Sequence, residues 1–83
     1  MTKEELEKTE WAIEYKKCGS PSYYIALRYA SQTPLFVNIF RTDETGEMVW
    51  AIQVDGDSFW MDAKKTKKEA INLCKKMGWK IIE

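Results

Sequence analysis

The chain contains no histidine, which removes the side chain most used as a general base near neutral pH and the commonest metal ligand. Cysteine is scarce too: Cys18 and Cys74 are the only two, short of the four ligands a structural zinc site takes. Neither lies in a nucleophile motif. No catalytic residue, metal site or cofactor is therefore expected, and the chain is read as not an enzyme. The two thiols are expected to be reduced, one at a turn and one in a helix stripe. The four glycines stand apart, each explained by a turn or a cap, and none belongs to a loop that cradles phosphate. No long apolar run is present. The most apolar stretch, Met48 to Val54, spans seven residues and includes Gln53, against about 20 needed to span a bilayer. The opening MTKEELEKTE is acidic and polar where a secretion signal is basic and then apolar. A soluble, cytoplasmic protein without a membrane partner is expected.

What is present is globular: 83 residues, 45% hydrophobic and 31% charged, which suits one small domain over residues 1–83. Thr2-Lys3-Glu4-Glu5 has the form of a capping box and opens a short helix within residues 1–9, weakly held because Leu6 is its only sizeable apolar side chain. From Trp11 the apolar period becomes two. Trp11, Ile13 and Tyr15 alternate with Ala12, Glu14 and Lys16, the pattern of a half-buried strand. Cys18-Gly19-Ser20-Pro21 turns the chain. Tyr23, Ile25, Leu27 and Tyr29 then alternate with Tyr24, Ala26, Arg28 and Ala30 as a second strand.

Leu35 to Arg41 is apolar on both faces apart from Asn38, as in a central strand. Asp43-Glu44-Thr45-Gly46 suits a hairpin loop, Met48, Trp50, Ile52 and Val54 the inner face of the next strand, and Asp55-Gly56 a tight turn into Ser58 to Asp62. A second capping box, Thr66-Lys67-Lys68-Glu69, precedes Ala70, Leu73, Cys74 and Met77, whose spacing of three, one and three defines one face of a helix over residues 66–77, stopped at Gly78. Residues 79–83 can finish as a strand or an apolar latch. The fold class expected is α+β: a five-stranded antiparallel β-meander over residues 10–62, one C-terminal amphipathic helix on one face, and the short N-terminal helix.

Thirteen basic and thirteen acidic residues cancel, but not evenly along the chain. Residues 43–62 hold six acids and no base, and residues 63–80 hold seven lysines against Glu69. Lys64, Lys65, Lys67 and Lys68 surround a helix start, where the macrodipole disfavours cations by roughly 0.3 to 1 kcal/mol each. They are candidate phosphate contacts of a nucleic-acid binder, although lysines on a solvated helix face are commonplace. Asp43, Glu44, Asp55 and Asp57 fit the conformational needs of turns. Read functionally, the two loops form an acidic rim able to meet a basic surface.

Four tryptophans, four tyrosines and three phenylalanines are more than one helix on one sheet obviously buries. By parity Tyr24, Phe36, Phe40 and Trp60, with Arg28 and Asn38, fall on the face opposite the inward series. Aromatic residues and arginine concentrate at protein interfaces.

The order of three strands and then a helix opening TKKEA resembles the double-stranded-RNA-binding domain, whose last helix opens with lysines across phosphates; Lys64, Lys65, Lys67 and Lys68 would take that role. The order also resembles the three-strand-plus-helix arm-binding domain of phage integrases. The chain departs from both in its zero net charge and its six acids ahead of the helix, and it lacks the small-residue helix face of the first, so neither membership is assigned. Two readings stay open. The favoured one is a protein-binding module, of the size common among phage and mobile-element proteins that inhibit or adapt a host protein, its partner another protein or a second copy of itself. The other is a nucleic-acid-binding domain. Net neutrality argues for the first.

Overall fold

The structure, a computed structural model, describes residues 2–19 and 21–82. Met1, Glu83 and the Ser20 of the anticipated turn lie outside that set. The chain gathers into two compact units, Met1–Thr33 and Pro34–Glu83. The described residues are α+β, with four helices and a four-stranded mixed sheet.

Among the described residues, the elements of the first unit are helices: α1 (Lys3–Glu7), α2 (Glu10–Lys17) and α3 (Tyr23–Ala30). The two strands expected across residues 11–16 and 23–30 are thus helices, and local chemistry explains the correction. Thr9 caps α2 by accepting from the Ala12 amide at 3.2 Å. Glu10 occupies the first turn and Lys16 and Lys17 the last, each matched to the helix dipole. Trp11 and Ala12 are buried and Tyr15 half-buried, a helical stripe, while Ile13, which alternation places beside Trp11, is 46% exposed. The Trp11 and Tyr15 rings meet edge to face at 5.5 Å, as residues four apart on a helix do. In α3, Tyr23, Ala26 and Leu27 are buried and Ala30 half-buried. The capping box at Thr2 forms as expected, accepting from the Glu5 amide at 3.2 Å. Leu6 holds α1 better than its isolation suggests, since it is 1% exposed and α1 lies against both α2 and α3.

The second unit holds β1 (Phe36–Thr42), β2 (Val49–Val54), β3 (Trp60–Lys64), α4 (Lys67–Met77) and β4 (Lys80–Ile81). The sheet order is β3-β2-β1-β4, with β1/β2 and β2/β3 antiparallel and β4 parallel to β1. A four-stranded mixed sheet therefore replaces the five-stranded meander. Parallel neighbours need a crossover, and α4 supplies it by carrying the chain from the β3 edge to the β4 edge. Both hairpins turn where their sequences indicate, and Gly46 (φ 91°) takes the left-handed conformation that closes the first. The second capping box is present too: Thr66 accepts from the Glu69 amide at 3.1 Å, and Gly78 (φ 77°) ends α4 in the left-handed region.

Pairing of Ile39 with Ile52 and of Ile52 with Asp62 places Val37, Ile39, Trp50, Ile52 and Val54 on one face. The Lys67 ammonium lies 5.6 Å from the Trp50 ring centre, so α4 covers that face. Val37, Ile52, Met61, Ala70 and Cys74 are fully buried in this unit. No helix among the described residues is long and apolar enough to cross a membrane.

Candidate functional site: the aromatic face of the sheet

The face opposite α4 is built by alternation on three strands. Phe36, Asn38 and Phe40 of β1 share it, Gln53 and Ala51 of β2 lie across from Asn38 and Phe40, and Trp60 of β3 pairs with Gln53. A bulge between Ile52 and Gln53 lets Met61 be fully buried while Trp60 stays on the aromatic side. On β4, Lys80 pairs with Phe36 and Ile81 with Val37, so Lys80 and Ile82 extend the same surface.

Four of its side chains, Phe40, Trp60, Gln53 and Asn38, are held in place. Phe40 and Trp60 pack edge to face, centroids 5.8 Å apart at 77°. The Trp60 indole N–H donates to Gln53 Oε1 at 3.2 Å, and Asn38 Nδ2 donates to Asp55 Oδ1 at 3.2 Å. Phe36 is 47% exposed and Ile82 37%, with Phe40 and Trp60 half-buried between them and the β3 edge. The expected grouping of Phe36, Phe40, Trp60 and Asn38 therefore exists as one surface. Tyr24 and Arg28 are not part of it. They sit four apart on α3, in the helical unit, because their segment is not a strand. Gln53 belongs to this surface as well, and its alternation with Ile52 and Val54 is the sequence signal that places it beside Trp60.

The acidic loops do not form one rim. Asp43 and Glu44 follow β1, and Asp55 and Asp57 follow β2, so the two loops lie at opposite ends of β2, roughly 17 Å apart for a six-residue strand. Several of these residues serve their turns: the Glu44 amide donates to Thr42 Oγ1 at 3.2 Å, and Asp57 Oδ1 accepts from the Ser58 amide at 2.6 Å. Asp55 is the carboxylate that fixes Asn38.

The lysine cluster sits at the same end of the sheet as the Asp43, Glu44 and Glu47 loop, since Lys64 pairs across β2 with Trp50. Lys64 is 3.6 Å from Asp62, and Lys67 rests over Trp50. Lys65 and Lys68 are exposed. At the α4 start, the amide of Glu69 is taken by Thr66, whose hydroxyl also donates to Glu69 Oε1 at 3.1 Å. One amide of the helix start is thus taken by its own cap, and the Glu69 carboxylate is held beside that cap. The β3 edge is blunted in the same way: Asp62 Oδ1 accepts from the Ala63 amide at 2.7 Å.

Cys18 is exposed and Cys74 buried, both free thiols. Burial pushes the Cys74 thiol up to about 11, which suppresses the thiolate and hence its nucleophilicity. No group of three potential metal ligands exists among the described residues. Comparison with protein families, with characterised proteins and with solved structures finds no match for the chain.

Proposed function

We propose that the chain is a non-enzymatic protein-binding module, an inhibitor or adaptor of a protein partner, and that it engages the partner through Phe36, Phe40 and Trp60. The observation that carries this reading is the pre-ordered aromatic row. Phe40 and Trp60 meet edge to face with the indole fixed by Gln53, and Phe36, on the same face four residues before Phe40, stands 47% exposed. Rigid aromatic side chains offer large contact area at little ordering cost, the property of residues that dominate interface energetics. The missing histidine supports the non-enzymatic part. Two of the four clustered lysines have intramolecular partners, and Thr66 takes one amide of the helix start, so part of what suggests phosphate contact is engaged by the fold itself.

The test is a titration of the purified protein with mixed single- and double-stranded DNA and RNA at about 50 mM and about 200 mM salt, with light scattering for its mass. Absence of salt-sensitive binding is the expected result. A dimer that dissociates in Phe36→Ala and Trp60→Ala would make a second copy the partner. Micromolar polyanion binding, lost in the Lys65→Glu, Lys68→Glu double variant, would overturn the reading.

A further inference from the structure

The helical unit carries a second surface, independent of the sheet. Lys3 of α1 and Tyr24, Leu27, Arg28 and Ser31 of α3 and its C-terminus line a groove of about 290 Å³. Leu27 is 4% exposed and forms an apolar floor, whereas Tyr24 is 73% exposed and stands as a wall, its ring meeting Tyr23 edge to face at 5.4 Å. The Ser31 hydroxyl donates to the Arg28 carbonyl at 2.7 Å and is committed to the helix end. Two cations remain. Neither Lys3 nor Arg28 has an ion-pair partner among the described residues, and no acid lines the groove. A further groove of this unit differs, because Glu7 accompanies Lys16 and Lys17 there.

We propose that the Lys3–Tyr24–Arg28 groove docks an acidic peptide segment of a protein partner, carboxylates meeting Arg28 and Lys3 while an apolar side chain lies on Leu27 against Tyr24. Charge complementarity selects the acid, since an arginine fork binds a carboxylate through two parallel hydrogen bonds. The apolar floor and exposed tyrosine select a peptide over a bare anion. A nucleic-acid backbone fits poorly. Residues 2–33 hold five bases and five acids, so a phosphate chain running beyond the groove meets Glu4 and Glu5, both exposed on α1. This surface extends the protein-binding reading to a second unit and does not depend on the aromatic sheet face.

The experiment is a titration of ¹⁵N-labelled protein, followed by amide shifts at about 20 mM salt. The probes are an acetylated Leu-Glu-Glu repeat peptide, a Leu-Lys-Lys peptide of equal length, and a short single-stranded oligonucleotide. The expected result is saturable shifts at Lys3 and across Tyr24 to Ser31 with the acidic peptide alone, Kd below about 1 mM. Arg28→Glu weakens this at least about fivefold, roughly 1 kcal/mol, and the Lys3→Glu, Arg28→Glu pair binds the lysine peptide instead. Phe36→Ala leaves it unchanged, which separates this proposal from the sheet-face reading. Shifts absent from these residues, equal binding of the oligonucleotide there, or undiminished affinity in Arg28→Glu would each overturn it.

Discussion

Two helices of this chain bury the same pattern. In α3 the stripe is Tyr23, Ala26, Leu27 and Ala30; in α4 it is Ala70, Leu73, Cys74 and Met77. Both step by three, one and three. Only α4 is legible as a helix, and the difference lies outside the stripe. The outer face of α4 is lysine, glutamate and asparagine, and its ends are marked by Thr66 and by the left-handed Gly78. The outer face of α3 is Tyr24, Ile25, Arg28 and Tyr29, Ser22 makes no side-chain cap, and Ser31 ends it in ordinary helical geometry. Contrast between faces, more than spacing, makes periodicity readable, and an apolar outer face lets period two fit the same residues. That outer face also carries the Tyr24 and Arg28 groove. Residues that hide α3 in the sequence, Tyr24 and Arg28, are also residues that line this groove.

Substitutions can break this comparison. The largest effect is expected from a charge at a fully buried alanine of each stripe. Ala26→Asp and Ala70→Asp, both at sites with no exposure, should each cost more than about 3 kcal/mol by burying an unpaired carboxylate. Had residues 23–30 been the alternating strand, Ala26 would lie opposite the inward face and tolerate the change. Denaturant melts of the two variants decide this.

The helix ends should separate α4 from α3 by less. Thr66→Ala and Gly78→Ala are each expected to cost about 1 kcal/mol, whereas Ser31→Ala, at an exposed residue that ends α3 in ordinary helical geometry, should cost only a few tenths. Equal losses at Thr66 and Ser31 would mean that the end of α3 is held as firmly as the ends of α4.

Smaller still are the outer faces. Ile25→Ser and Lys68→Ser should both stay within about 0.5 kcal/mol of the parent, because both side chains are exposed. A loss of about 1.5 kcal/mol or more at Ile25 would indicate a buried site.

Cys18 and Cys74 contrast without any effect on stability at neutral pH. Cys18 should react with a thiol reagent at once under native conditions and Cys74 only on unfolding. Because the fold raises the Cys74 thiol from 9.0 to about 11, its protonated form is favoured in the native state. That contribution is complete below pH 9 and is lost as pH rises toward 11, so the pH slope of stability in this window should flatten in Cys74→Ala.

Legibility followed the local signals. Both capping boxes, the glycine-closed hairpin and the three antiparallel strands over residues 36–64 are written in adjacent residues, and the sequence discloses them. The parallel pairing of β4 with β1 is not, since it depends on α4 returning the chain to the far edge of the sheet. In the candidate site, Phe36, Phe40 and Trp60 were legible through strand parity. Arg28 and Tyr24 would join that face only if residues 23–30 were a strand, and they form α3. The acidic rim failed for a topological reason: consecutive hairpin loops lie at opposite ends of the strand they share.

The most direct test of the central claim is capture of proteins from the source cell by four baits: the parent chain, Phe36→Ala, Trp60→Ala, and the Lys65→Glu, Lys68→Glu double variant, each checked for folding. The account predicts a protein that is retained by the parent and the lysine variant, survives nuclease treatment, and drops at least about tenfold, or 1.4 kcal/mol, with both aromatic variants. Retention that ignores Phe36 and Trp60 but disappears with the lysines or with nuclease would contradict it.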